Sequence, residues 1–168
     1  MDETSVRVRP AKAGDGHSIA VAWVDSGRYY AALYPDLFQA PSGDVTATFE
    51  QIVAAAARPE QCRLVAEVDG EVVGYVAATL HAAMGPPEGQ FDRDRTRSSV
   101  WVDALMVRAS AHRRGVGSML MGAVEDWAKR RDAATIELDT FDRSPLSVPF
   151  YERLGYQSHA IIFRKRLT

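Results

Sequence analysis

The sequence predicts a single mixed α/β domain, and three observations carry that prediction. Apolar runs with strand-like alternation are interleaved with runs at helical spacing, in the order β, helices, β-hairpin, β, α, β, α, β. The stretch from Val100 to Asp139 reads as a β–α–β crossover, which should be right-handed with its two strands parallel. The length of 168 residues and the 46% hydrophobic share suit one domain with its own core. No repeat, linker or low-complexity tract divides residues 1–168.

Val6 and Val8 alternate with Arg7 and Arg9 before Pro10, a short first strand. From Asp15 to Phe38 the signal is helical but interrupted by Gly27 and Pro35, which predicts two short helices, or a helix and an irregular arm. Asp44 or Thr46 can cap a helix running through Ala57 and stopped by Pro59. Leu64–Val68 and Val72–Leu80 flank Asp69-Gly70, a dipeptide suited to the type I′ turn of a hairpin. Residues 85–97, with two prolines, two glycines and an alternating Asp/Arg run, read as a solvated loop. Strand 99–107 and a helix over 117–130 follow. Val116, Met119, Leu120, Ala123, Val124, Trp127 and Ala128 line one face of that helix. Thr135–Asp139 reads as a strand, Ser144-Pro145 as the cap and first turn of a helix ending near Gly155, and Ile161–Leu167 as a last strand.

Composition narrows the function. A net charge of −2 and a pI near 6.1 argue against a nucleic-acid binder. Cys62 is alone, so no intrachain disulfide forms, and no Cys/His cluster has metal-ligand spacing. Cys62 precedes a core strand, far from the motifs below, and is not placed to be a nucleophile. No run is long and apolar enough to span a bilayer, and the acidic start Met1-Asp2-Glu3 has the wrong sign for a signal peptide. The expectation is a cytoplasmic protein with no membrane partner and no metal.

The richest segment is Val100–Trp127. A strand feeds the basic residues His112-Arg113-Arg114, then Gly115-Val116-Gly117-Ser118 opens a helix. Unpaired N–H groups and the helix dipole make such a turn a place for phosphate. Gly115 and Gly117 permit close backbone approach, Arg113 and Arg114 bring positive charge, and Ser118 adds a hydroxyl. The nucleoside-triphosphate loop is excluded because Ser118-Met119 stands where Lys-Ser or Lys-Thr is needed. The dinucleotide fingerprint is excluded because Leu120 occupies its third glycine position.

Leu105-x-Val107 followed by Arg113-Arg114-Gly115-Val116-Gly117-Ser118 resembles the acetyl-coenzyme A loop of the GCN5-related N-acetyltransferases. His112 departs from that pattern, where Gln or Arg is usual. Val148-Pro149-Phe150-Tyr151-Glu152-Arg153-Leu154-Gly155-Tyr156 is similar to the same family's late Phe-Tyr-Glu helix, with Tyr156 at an aromatic core position. The resemblance covers the chain from about Leu64 onward. It implies a twisted sheet of six or seven strands flanked by about four helices, splayed between strands 99–107 and 135–139 where acetyl-coenzyme A enters.

The implied reaction is acetyl transfer from acetyl-coenzyme A to a primary amine by direct attack in a ternary complex. The resemblance assigns cofactor contacts to Leu105, Met106, Val107 and Arg113 through Ser118, with Ser144 where the family often has Asn. It implies an N–H at a bulge within 104–107 as oxyanion donor, placed at Met106, and makes Tyr151 the proton donor to the departing thiolate. Asp103 is an aspartate in an apolar strand; it is a candidate base facing the amine, or it pairs with an arginine or caps the bulge. His81 is a second candidate at the end of its strand. Trp23, Tyr30 and Tyr34 share a helical face and read as packing, although in the family that region, with Tyr29 and Phe38, walls the acceptor site. The acceptor is a small-molecule or peptide amine, and homodimers are common in the family. Two rival readings are an acyl-coenzyme A sensor without turnover, which would need only the glycine loop, and an enzyme modifying charged transfer RNA, which the acidic balance disfavours.

Overall fold

A computed structural model of the chain describes residues 5–167; the acidic Met1-Asp2-Glu3 start lies outside them. Five strands form one sheet in the order of the chain: β1 (Val6–Pro10), β2 (Gln61–Val68), β3 (Glu71–His81), β4 (Ser99–Val107) and β5 (Thr135–Glu137). Neighbours are antiparallel except β4 and β5, the parallel pair of the predicted crossover. Its helix is α3 (Val116–Arg130); the others are α1 (Gly16–Leu33), α2 (Thr46–Ala54) and α4 (Ser147–Arg153).

The hairpin between β2 and β3 turns at Asp69 (φ 52°) and Gly70 (φ 81°), the two positive angles of a type I′ turn. The sheet separates two cores. Val100 and Val102 pack with Val116, Leu120, Met121 and Val124 of α3, while Tyr75 and Met106 face Ile19, Phe49 and Val53 of α1 and α2. Along β4 an extra residue between Val102 and Ala104 reverses the alternation, so Val100 and Val102 face one core and Met106 the other. At the edge, Asp15 is buried and takes two 2.8 Å hydrogen bonds from the Arg9 guanidinium and one from Lys12 N–H.

Of the two readings of residues 15–38, the structure takes the helix followed by an irregular arm, and two other expectations about elements need correction. Gly27 does not break the first helix. Pro41 of the following loop lies where its side chain would be, with Cδ 2.5 Å from an ideal Cβ, so tertiary packing selects glycine inside a continuous α1. α2 ends at Ala54 rather than Ala57, because Ala55 already has extended ψ (133°). Residues 161–167 form no strand, which leaves five strands in place of six or seven. Ile161, Ile162, Phe163 and Leu167 are exposed, and β5 pairs through only three residues, too short an edge to hold a seven-residue partner.

The splay is present. β5 pairs with β4 at Ser99, Val100 and Trp101 only, so from Val102 onward the outer edge of β4 is open. A bulge sits in the same region: Ala77 pairs with Ala104 and Ala78 with Val102, leaving Asp103 as the extra residue.

Candidate functional site

Three elements meet at the open edge of β4: the turn into α3, Val107 of the strand itself and Phe150 of α4. Gly115 caps α3 in the left-handed region (φ 78°), a conformation that glycine adopts without strain. The N–H groups of Gly115, Val116, Gly117 and Ser118 have no acceptor among the described residues. The other helices are provided for internally. Glu50 receives the N–H groups of Gly14 and Gly16 at α1, Asp44 that of Thr46 at α2, and Ser144 that of Ser147 at α4. The first turn of α3 is therefore a free anion cradle, with the dipole adding to it. Arg113 and Arg114 beside it are exposed and carry no ion pair among the described residues. His112 braces the loop, its Nε2 lying 2.9 Å from the accepting Val107 carbonyl.

The second motif closes against the first. An ideal Cβ on Gly117 would lie 3.1 Å from Cζ and 3.3 Å from Cε2 of Phe150, so α3 and α4 touch through that glycine. α4 ends in a Schellman motif: Tyr156 N–H reaches the Tyr151 carbonyl (3.1 Å), Gly155 N–H reaches Glu152 (3.0 Å), and Gly155 is left-handed (φ 89°). That motif accounts for the Gly-Tyr that follows Leu154. It also turns Tyr156 back beside Tyr151, ring centroids 5.9 Å apart, with its hydroxyl donating to Glu125.

Tyr151 is mostly enclosed. Burial, then the neighbouring Tyr30 hydroxyl and Asp139, push its phenol up to about 12, so it keeps its proton throughout the physiological range. Asp103 is exposed at the bulge and accepts a 2.7 Å hydrogen bond from Thr79 Oγ1 across the β3–β4 pair. It makes no ion pair with an arginine among the described residues.

Two positions differ from expectation. The bulge lies at Asp103, ahead of the 104–107 segment. Arg108 N–H donates to the Val73 carbonyl (2.8 Å), and groups on an antiparallel strand alternate in direction. The Met106 N–H therefore faces β3 and not the open edge. Leu105 and Val107 turn their backbone groups to the open edge, as the His112–Val107 bond requires. Ser144 is 2% exposed. Its hydroxyl accepts from Ser147 N–H (3.1 Å), donates to Ser147 Oγ (2.9 Å) and meets the Tyr29 hydroxyl (3.0 Å). It acts as the α4 cap, three residues ahead of the helix, and its side chain is fully engaged within the protein.

Sequence reasoning missed Trp101 and Glu137, which share a cavity with the loop 82–98. At the heads of β4 and β5 a cavity of about 400 Å³ is lined by His81, Asp92, Asp94, Trp101 and Glu137, among others. Arg95 of the same loop pairs with Asp92 (3.4 Å) and Arg97 with Asp132 (3.4 Å). Asp94 and Glu137 have no ion pair among the described residues. Trp101 opposite Glu137 and two residues before Asp103 was the available signal, since period-two spacing places them together. Cys62 is buried, its thiol pushed up to about 11 by that burial, and stays outside the site.

A sequence model described as the acetyltransferase (GNAT) family matches residues 25–156. No curated protein sequence matches the chain. The fold is shared with solved structures at low identity. A tetramutant of BH1408 protein from Bacillus halodurans aligns with TM-score 0.80 at 20% identity over 96% of this chain and 99% of that one. Ribosomal-protein-alanine N-acetyltransferase from Brucella melitensis biovar Abortus aligns with TM-score 0.66 at 18% identity over 98% and 100%. AAC(6')-Iy, solved with a bisubstrate analog, CoA-S-monomethyl-acetylneamine, aligns with TM-score 0.62 at 18% identity over 97% and 99%.

Proposed function

The chain belongs to the acetyltransferase (GNAT) family, and from that premise we propose that it transfers an acetyl group from acetyl-coenzyme A to a primary amine in a direct ternary complex. The observation that carries this reading is the meeting of the bare α3 turn with Phe150 of α4 beside the open edge of β4. A pure sensor would need the phosphate cradle alone. Here the cradle is built against the helix that presents an enclosed, protonated phenol.

The N–H groups of residues 115–118 hold the pyrophosphate, Arg113 and Arg114 add charge to it, and Leu105 and Val107 offer main-chain groups to the pantetheine arm as an adjacent strand would. Acetyl-coenzyme A supplies the thioester whose carbonyl carbon is attacked. The Leu105 N–H, directed into the split, takes the oxyanion role. The acceptor enters from the cavity under the 82–98 loop, where Glu137, Asp94 and Trp101 suit a cation. An alkyl ammonium of pKa about 10.4 must lose a proton to attack. Asp103, fixed by Thr79, draws that proton away, directly or through water.

Tyr151 then donates to sulfur. Moving a proton from a phenol near 12 to a thiolate near 8.5 is uphill by roughly 5 kcal/mol if done alone. The phenol therefore passes its proton only as it recovers one from the nitrogen of the collapsing intermediate. No charged tyrosinate is left behind.

The test is thiol release from acetyl-coenzyme A with a panel of amines, for wild type and Tyr151→Phe, beside calorimetric cofactor binding. Turnover with some amine, about a hundredfold lower in the variant with binding retained, is the expected result. Binding with no turnover on any amine would move the chain to the sensor class. Equal rates would keep the transferase and remove Tyr151 as its acid.

A further inference from the structure

α4 is an anchorage problem. It has seven residues, none of them buried, yet it carries the tyrosine on which the reading above depends. Its C-terminal end is fixed by the Schellman turn and by half-buried contacts of Phe150, Tyr151 and Leu154 with the α3-side core. Its N-terminal end is held by hydroxyls from a distant helix. Tyr29 reaches Ser144 and Tyr30 reaches Ser147, each at 3.0 Å, and Ser144 links to Ser147 at 2.9 Å. Four hydroxyls thus form one continuous chain between α1 and α4.

The spacing on α4 gives that chain a direction. Ser147 and Tyr151 are four residues apart, so they lie one above the other on the same helix face. The Tyr30 hydroxyl bonded to Ser147 is consequently a neighbour of the Tyr151 phenol. The Tyr30 ring is itself wedged by Phe38 and Phe141, with centroids 5.8 and 5.1 Å away. Tyr34 adds a parallel tie, donating to Asp142 and accepting from Arg143 N–H. A rigid ring with a single bonded hydroxyl is a good ruler: it sets the height of Ser147 above α1, and with it the side chain one turn later.

We infer that Tyr30 is a positioning residue for Tyr151, acting through its hydrogen bond to Ser147. This deepens the proposed reaction and rests on Tyr151 being the proton donor in it. A positioning role predicts coupling. Removing the Tyr30 hydroxyl should matter only while the Tyr151 hydroxyl is there to be positioned.

The experiment is a double-mutant cycle on turnover, using the best amine of the panel, with Tyr30→Phe, Tyr151→Phe and the pair. Tyr30→Phe should lower kcat about tenfold and leave the KM for acetyl-coenzyme A unchanged, since the α3 turn is untouched. The double variant should be no slower than Tyr151→Phe alone. Ser147→Ala removes the same bond from the other side and should reproduce Tyr30→Phe; thermal melting of each variant separates these losses from unfolding. A Tyr30→Phe rate within twofold of wild type, while Tyr151→Phe is impaired, would overturn the positioning role alone. So would a double variant whose loss is the product of the two single losses, because Tyr30 would then act independently of Tyr151. A Tyr151→Phe enzyme at full rate would remove the proton donor itself, and the positioning role with it.

Discussion

Two glycines of α3, five residues apart, should respond in opposite ways to the same added methyl group. At Gly122 an ideal Cβ meets nothing within 4 Å. Alanine there gains helix propensity of up to about 1 kcal/mol, and for a chain of this size that raises Tm by roughly 2–4 °C. At Gly117 the new Cβ lies 3.1 and 3.3 Å from two atoms of Phe150. Carbon pairs settle near 3.5–4.0 Å, so the ring must yield by about half an ångström. Phe150 is half-buried and can slide, which puts the cost near the lower end of the ~1–3 kcal/mol range for overpacking. Gly117 is in the first turn, where the propensity gain is smaller, so the net stability change falls within about 1 kcal/mol of zero. Activity should separate more sharply. Phe150 stacks edge-on with Tyr151 at 5.0 Å, so displacing it displaces the phenol, and Gly117→Ala should lose at least about tenfold in kcat. Thermal melts and thiol release on both variants decide the matter. If Gly117→Ala were as stabilised as Gly122→Ala and fully active, α4 would not rest on α3 as described, and the contact uniting the two motifs would be wrong.

Three further outcomes follow from the same geometry. With the Tyr151 phenol pushed up to about 12, the pH–rate profile should show no tyrosine limb near 10; a fall in rate centred there, absent from Tyr151→Phe, would contradict the enclosure of Tyr151. Burial raises Asp15, but the hydrogen bonds from Arg9 and Lys12 outweigh it and hold the carboxyl below its ordinary value. The unfolded chain then binds the proton more readily, so this stability is complete above about pH 5 and drains as acid titrates the folded group. Asp15→Asn should cost about 3 kcal/mol at neutral pH and flatten the acid limb of the melting profile. Glu137→Gln should raise KM about threefold for a diamine but little for a monoamine, measured by thiol release; an equal effect on both would deny the cavity a role in recognising charge.

What the sequence discloses here is what a few neighbouring residues decide among themselves. Asp69-Gly70 dictates its turn, the Gly115–Ser118 stretch dictates its bare N–H groups, and Gly155 marks the end of its helix; each is read from its own segment and each is found. Where the outcome depends on a partner, the same reasoning misleads. Gly27 reads as a breaker because Pro41 is invisible from within the helix. The direction of the Met106 N–H escapes it because the parity of β4 hangs on where the bulge falls, which its pairing with β3 settles. Ile161–Leu167 has strand composition but pairs with neither edge of the sheet, and composition alone does not decide such a pairing.

The candidate site divides along the same line. The parts to which the proposed function gives the chemistry, the cradle and Tyr151, are local devices with legible patterns, while the contacts that assemble them are not. Gly117 touches Phe150, Tyr30 bonds Ser147 and Thr79 bonds Asp103, each joining separate elements. A motif on its own offers one element of the proposed reaction, a place for phosphate or a phenol. Whether the two come together at one place depends on those three contacts, and they are where substitution should most cleanly separate binding from turnover.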